Sequence, residues 1–318
     1  MGERTIMVTG ASGFVGRALC DHLENEGYRV RKVMRLRHSL RPGLDIGIED
    51  IGVSTDWLEA VTGVDAIVHL AARVHVMRDS SESPLETFRQ TNVLGTGGLA
   101  LQAARAGVRR FLFLSSVKVN GEASGQHPFV ESDPIAPKDA YGASKAEAEG
   151  RLRIIASETG MEVVIVRPPL VYGPWVRANF LSLLRTVDAG VPLPFLSISN
   201  LRSLVFVGNL VDALRACLTH PAAANRTFFV SDDYDVSTPQ LIQEIANALG
   251  KKARLFPFPP VLLHGAGLLT RRRPQIARLT ESLQVDVSSI KTALNWKPPY
   301  SLQQGLQRTA TWYRAQPR

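Results

Sequence analysis

Thr5-Ile-Met-Val-Thr-Gly10-Ala-Ser-Gly13-Phe-Val-Gly16 is an apolar run that ends in three spaced glycines. The residues after it, to about Asn25, carry a helical pattern that Gly27 is placed to stop. Tyr28–Met34 then alternates as a second strand. Strand, glycine loop, helix and strand in so short a segment predict the βαβ unit of a dinucleotide fold. Glycines let the backbone approach a pyrophosphate, and the helix N-terminus supplies N–H donors and positive dipole. Three glycines alone are a weak signal, since a tight turn needs no ligand. Between a strand and a helix they are a strong one. Gly10, Ser12, Gly13, Phe14, Val15 and Gly16 are therefore the expected cofactor contacts.

The end of the second strand is expected to choose between cofactors. A carboxylate there would hold the ribose 2′-hydroxyl of NAD(H). The position carries Arg35 instead, followed by Arg37 and His38. A guanidinium matches a 2′-phosphate in charge and geometry, so NADP(H) is favoured over NAD(H). The plainer alternative is a solvated basic loop. Farther on, Ala66–His69 reads as a buried strand entering His69-Leu-Ala-Ala72, whose small residues allow a ribose or nicotinamide close to the backbone. His69 is expected to be a structural hydrogen-bonder. Arg73 and His75 follow at the strand's C-terminal end, where open α/β sheets place ligands. Leu85–Ala106 is expected as one long helix closed by Gly107, with Asn92 inside an apolar stretch.

The chemistry is concentrated between Arg110 and Lys145. Phe111-Leu-Phe-Leu114 delivers two hydroxyls, Ser115 and Ser116, and Tyr141-Gly-Ala-Ser-Lys145 follows a polar, Pro-rich loop at Gly121–Asp139. A tyrosine and a lysine four apart share a helix face. An ammonium beside a phenol favours phenolate, which is expected to lower the tyrosine's pKa toward neutrality. Serine, tyrosine and lysine in this order are what alcohol oxidation or ketone reduction needs beside a hydride carrier.

The 318 residues are 45% hydrophobic and 21% charged, as in an ordinary globular protein. A net charge of +8 suits an anionic ligand. Nucleic acid is not expected, because the basic residues are scattered apart from Arg29–Arg41 and Arg271-Arg272-Arg273, and Pro274 marks the triplet as a solvated turn. No signal peptide is visible and no stretch approaches a membrane span, so no membrane partner is expected. Lone Cys20 and Cys217 read as buried thiols of a reduced, cytoplasmic protein. The histidines and cysteines show no metal-ligand spacing.

From about Asn179 the βαβ regularity weakens. Helices are expected at Phe180–Ala189, Leu210–Leu218 and Pro239–Leu249, the last capped by Thr238, with strands at Leu204–Phe206 and Phe228–Val230. Ser288–Asn295 and Ser301–Arg314 read as two closing helices. The fold class is α/β: a Rossmann doubly wound parallel sheet over 1–173 and a smaller C-terminal α/β substrate lobe over 174–318, the chain crossing back near 203–230.

These pieces together resemble the extended short-chain dehydrogenase/reductase family, in its NAD-dependent nucleotide-sugar epimerase/dehydratase branch. The likeness rests on Thr9-Gly-Ala-Ser-Gly-Phe-Val-Gly16, His69-Leu-Ala-Ala72, Asn92-Val-Leu-Gly-Thr96, Ser115-Ser116, Tyr141-x-x-x-Lys145 and Arg167-Pro-Pro-Leu-Val-Tyr-Gly-Pro174. It implies Tyr141 as acid and base, Lys145 on the nicotinamide ribose, Ser116 on the substrate oxygen and Asn92 as support. It implies further cofactor contacts from Asp50, Leu70, Ala71, Ala72 and Pro168. A UDP-sugar partner is implied, with Asn179 and Arg202 on its diphosphate side, Arg278 as a second phosphate ligand, and Arg73 and Lys118 near the sugar. A homodimer through the helices around 85–106 and 141–157 is implied as well.

Two departures narrow the reading. Where the family often has Val-Tyr-Gly after its serine, this chain has Val119-Asn120-Gly121 with Lys118 before it. Dehydratase members follow a threonine with adjacent Asp and Glu; Ser116 is followed by Val117-Lys118, which argues against elimination of water. Two chemistries remain: a 4-ketoreductase of a UDP-4-keto-6-deoxy-N-acetylhexosamine, of UDP-N-acetylquinovosamine type and serving surface polysaccharide synthesis, and a UDP-glucose or UDP-N-acetylglucosamine 4-epimerase. Arg35 tips the expectation to the reductase. A non-catalytic NADP sensor on the same fold would have lost the tyrosine or the lysine.

Overall fold

A computed structural model describes residues 4–36, 40–74, 84–269 and 273–316. Arg37, His38, His75, Arg271 and Arg272 lie outside the described residues. The chain opens with β1 (Thr5–Thr9), buried along its whole length, then α1 (Phe14–Asn25) and β2 (Arg29–Arg35). β3 (Ile46–Ile48), the single turn α2 (Leu58–Val61) and β4 (Ala66–His69) follow.

The helix expected over Leu85–Ala106 is three pieces. α3 (Pro84–Arg89) runs into a π-helical segment at Gln90–Gly95 and then into α4 (Thr96–Arg105). A wider turn of this kind inserts a residue without ending the rod. Here it brings Asn92 inward, to 1% exposure, and Gly95 against Ile51. Apolar periodicity averages over such a bulge, which is why the sequence reads as one helix.

β5 (Arg110–Leu114), α5 (Ala140–Thr159) and β6 (Glu162–Arg167) complete the first half. β7 (Leu170–Tyr172), α6 (Ala178–Asp188), β8 (Leu204–Phe206), α7 (Val207–Thr219) and β9 (Thr227–Phe229) come next. Among the described residues seven strands form one parallel sheet in the order β3-β2-β1-β4-β5-β6-β9, and β7 pairs with β8 in a small second sheet. This is the doubly wound Rossmann arrangement, with the order reversing between β1 and β4.

Alternate residues of each strand feed two separate cores, because helices cover both faces. Ile6, Val8, Val68, Leu112 and Val164 pack with Leu19 and Leu23 of α1 and Leu210 and Leu214 of α7. Met7, Ile67, Phe111, Phe113 and Val163 pack with Leu99 of α4 and Ala148 and Leu152 of α5. Cys20 and Cys217 are buried free thiols, pushed up to about 12 chiefly by burial.

The remaining segment carries α8 (Thr238–Ala248), α9 (Pro260–Leu269), α10 (Arg273–Thr280), α11 (Ser288–Leu294) and α12 (Leu302–Arg314). The cap of α8 is Ser237, whose side chain accepts from Gln240 N; Thr238 sits inside the helix and donates to Leu279 O. Both residues are good caps, and the one preceding the first turn takes the role. α9 and α10 have no counterpart in the sequence expectation. Single bridges stitch this region together, Phe129 to Val285, Leu193 to Leu255, and Arg202 to both Val236 and Leu283.

Candidate active site

The reversal of strand order opens a crevice at the C-terminal ends of β1 and β4, where such folds bind ligands. Gly10 leaves β1 at φ +69°, and a Cβ on it would lie 2.9 Å from Ala71 N, so the two loops lining the crevice touch through glycine. α1 has Gly13 as its N-cap, with no side chain capping it and no acidic residue in its first turn. Its first amides and the positive end of its dipole thus remain for an anion. That cradle fits a dinucleotide pyrophosphate. Ser12, Phe14, Val15 and Gly16 belong to it, and Arg17 Nε donates to Ser12 O at 3.0 Å. Arg35 ends β2 as an exposed guanidinium, and Asp50 is exposed just beyond β3, its Oδ1 accepting from Ile51 N.

Leu70, Ala71 and Ala72 are half-buried along the other side of the crevice. His69 beneath them is fully buried, its Nδ1 2.7 Å from Thr9 Oγ1 and its Nε2 3.0 Å from Thr96 Oγ1. Burial, with Lys145 adding to it, holds the imidazole down to about 3, so it is neutral and structural. Asn92 accepts from Arg73 N at 2.8 Å and donates to Arg73 O and to Ser144 Oγ; Ser144 in turn donates to Tyr141 O. One buried amide therefore ties the loop after β4 to the turn of α5 that carries the tyrosine.

α5 starts where Asp139 caps it, its carboxylate accepting from Gly142 N at 2.7 Å. A Cβ at Gly142 would meet Lys118 O at 2.7 Å, so this glycine lets α5 abut the turn after β5. Tyr141 and Ser116 are brought to the same wall by that close approach. Ser116 caps the 3₁₀ turn Val117–Val119 and is half-buried, accepting from Lys118 N at 3.2 Å. Ser115 is 3% exposed, and its hydroxyl donates to Glu149 Oε1 at 2.6 Å. Of the two serines the sequence offers, Ser115 is buried against Glu149 and Ser116 is the more exposed. Pro168, whose carbonyl accepts from Val117 N, backs the same turn.

Lys145 is 2% exposed. Its ammonium donates to Leu114 O at 2.8 Å, lies over the Phe113 ring at 4.3 Å, and is 5.9 Å from the Tyr141 ring centroid. Burial lowers it to about 7. The expectation that Lys145 lowers the Tyr141 pKa is corrected here. Burial raises the phenol above its ordinary value and Asp139 raises it further, because loss of hydration outweighs an ammonium turned toward a carbonyl. Phe88 packs edge-on against the Tyr141 ring at 6.3 Å.

The rim is built from charge. Lys118 pairs with Asp139 and, at 2.8 Å, with Glu122; Arg278 reaches the same Glu122 oxygen at 3.5 Å. Arg202 donates to Glu281 O at 3.0 Å, and burial first and Arg278 second lower it to about 10. Lys118, Arg278 and Arg202 are thus brought together. Asn179 stands exposed in the first turn of α6, after a segment in which Trp175 and Ala178 take left-handed φ of 72° and 52°. The Trp175 ring in turn carries the Arg17 guanidinium at 5.1 Å. Among the described residues no metal-ligating cluster of three occurs, and no helix is long and apolar enough to cross a membrane.

Sequence reasoning overlooked Glu149, and it read Arg167 only as part of a motif. Arg167, 2% exposed, donates to Glu149 at 2.9 and 2.5 Å and to Asn120 Oδ1 at 3.0 Å. The signal available was a glutamate four residues beyond Lys145, on the same helix face.

The pattern of the NAD dependent epimerase/dehydratase family matches residues 6–231. A Vibrio cholerae protein described as UDP-glucose 4-epimerase is 46% identical over 310 residues, covering 96% of this chain and 94% of its own. An Escherichia coli O157:H7 protein described as N-acetyl-alpha-D-glucosaminyl-diphospho-ditrans,octacis-undecaprenol 4-epimerase is 28% identical, covering 96% of this chain and 93% of its own. Among solved structures, MoeE5 in complex with UDP-glucuronic acid and NAD superimposes with a TM-score of 0.77 at 26% identity, over 98% of this chain and 99% of that one.

Proposed function

Because the chain belongs to the NAD-dependent epimerase/dehydratase family, we propose that it moves a hydride at C4 of a UDP-linked hexose and returns it to the opposite face, as a 4-epimerase. The observation that carries this reading is the wall at the end of β5, where Tyr141 and Lys145 of α5 lie against the turn that Ser116 caps. A nicotinamide cofactor, when bound, supplies the acceptor and donor of the hydride.

The residues' own work follows from their surroundings. Gly10, Ser12, Gly13, Phe14, Val15 and Gly16 hold the pyrophosphate, and Leu70, Ala71 and Ala72 leave room for the nicotinamide side. Asp50 and Pro168 are further cofactor contacts in this reading. Lys145 binds the nicotinamide ribose. Ser116 hydrogen-bonds the C4 oxygen. Tyr141, once its phenol has given up its proton, takes the proton of the C4 hydroxyl as the hydride leaves C4. It returns that proton to the ketone oxygen as the hydride comes back to the opposite face, the half that a raised phenol favours. Asn92 fixes the position of Tyr141 through Ser144. Arg202 and Arg278 receive the diphosphate, with Asn179 at its edge and Lys118 and Arg73 toward the sugar. A homodimer through α4 and α5 belongs to the same reading, and sedimentation velocity tests it.

A second reading is favoured by one observation. Arg35 stands exposed at the end of β2, and no carboxylate immediately follows it in sequence. A guanidinium there suits the 2′-phosphate of NADP(H). Exchangeable NADPH suits a 4-ketoreductase of a UDP-4-keto-6-deoxy-N-acetylhexosamine, an enzyme for surface polysaccharide building blocks. Incubation with UDP-glucose, UDP-N-acetylglucosamine or the 4-keto sugar, following products by NMR and NADPH by absorbance, separates the two. Galacto epimer without net NADPH loss supports the epimerase. Stoichiometric NADPH loss with the keto sugar supports the reductase, and no change in any substrate overturns both.

A further inference from the structure

Glu149 is fully buried on α5, one turn beyond Lys145. Its Oε1 accepts from Ser115 Oγ and Arg167 Nε, and its Oε2 from Arg167 Nη2 and Arg153 Nη2. Ser115 follows Leu114, whose carbonyl receives the Lys145 ammonium, so the glutamate and the lysine of one helix face grip consecutive residues at the end of β5. Arg167 completes the frame from β6 by holding Asn120, which closes the turn that Ser116 caps.

Such a frame exceeds what strand-to-helix packing needs. A buried carboxylate requires compensation, and here it has four hydrogen bonds from three residues. The same carboxylate, one helical turn from Lys145 and as deeply buried, opposes the effect of burial on the ammonium. Around Lys145 the charged and titratable groups are Tyr141 and Glu149 on its own helix, neutral His69 on β4 and Arg167 on β6. β5 contributes the Leu114 carbonyl and the Phe113 ring.

We propose that Glu149 is a positioning residue of this site: its carboxylate holds Lys145 as a cation and turns Ser115 inward, which leaves Ser116 as the hydroxyl presented to substrate. The proposal rests on Lys145 meeting the cofactor, so it is tested by cofactor binding, without any sugar. The dissociation constant of NADH or NADPH is measured by nicotinamide fluorescence across pH for wild type and variants. In wild type, affinity falls as pH rises through the Lys145 titration.

Glu149→Gln, which keeps the shape and removes the charge, shifts that fall to lower pH by about 1 unit. Glu149→Asp keeps the charge and restores the wild-type position even if affinity is uniformly weaker. Arg153 is half exposed, so Arg153→Gln folds whatever becomes of the Glu149 variants. It removes a cation from the far side of the carboxylate and moves the fall to higher pH by about 0.3 unit. Equal weakening at every pH in Glu149→Gln overturns the proposal and leaves Glu149 a structural residue. If that variant does not fold, an unmoved profile in Arg153→Gln overturns it instead. Absence of cofactor binding in wild type overturns the cofactor reading itself, a separate result.

Discussion

The wall made by β5 and α5 differs in kind from the rim that carries Arg202. On the wall the side chains are buried, come from contiguous elements, and answer one another: Asn92 to Ser144, Ser115 to Glu149, Lys145 to Leu114. On the rim, Lys118 and Glu122 of one turn meet Arg202 and Arg278 from segments far away in the chain, joined by single bridges and partly exposed ion pairs. A buried frame fixes geometry because any missing partner leaves an unpaired group in low dielectric. A wet rim attracts an anion and tolerates adjustment. In the proposed function, chemistry falls to the rigid part and ligand grip to the adjustable one.

The comparison can be broken most severely at the tyrosine. Tyr141→Phe is expected to reduce turnover by about 10²–10⁴-fold with cofactor affinity unchanged, measured by steady-state kinetics beside fluorescence titration. Loss of cofactor affinity would place Tyr141 in binding instead. Next comes the frame: Arg167→Ala leaves Glu149 short of two hydrogen bonds and should cost about 3–5 kcal/mol in urea unfolding. The exposed pair Lys291–Asp233, at 2.5 Å, provides the contrast; Lys291→Ala should cost about 0–1 kcal/mol.

On the rim the expected effect is one of binding. Arg202→Ala should raise KM for a UDP-sugar about 10–100-fold, as for a lost charge-assisted hydrogen bond, and leave kcat nearly unchanged. A fall in kcat with constant KM would move Arg202 to the wall's side of the comparison. A further effect is on stability against pH. Burial lowers Lys145 from 10.5 to about 7, so over that interval the unfolded chain binds a proton that the folded chain has released. Its contribution therefore makes stability rise from about pH 7 to about pH 9. The two cysteines, pushed up to about 12, oppose it only above their ordinary value of 9.0. Lys145→Met should flatten the slope in denaturant titrations at both pH values.

The same division explains what was legible in the chain. β1, the glycine loop, β4 and the Tyr141–Lys145 spacing are local patterns, and all stand where apolar runs and glycines put them. The π-helical turn at Asn92 escaped because periodicity does not register one inserted residue. The elevated Tyr141 pKa escaped because spacing reports a neighbour's charge and says nothing of lost water. Glu149 and Arg167 are 18 residues apart in sequence, and only the packing of α5 against β6 makes them partners. α9 and α10 escaped for a related reason: they pack on one another, a partnership that local spacing does not show.

The most direct measurement is the fate of deuterium placed at C4 of a UDP-hexose, incubated with the protein and both oxidised cofactors. The account predicts that the label stays at an inverted C4 or passes to the nicotinamide, and that none reaches water. Washout of the label into solvent would show proton abstraction in place of hydride transfer, and would contradict the role given to the Ser116, Tyr141 and Lys145 wall.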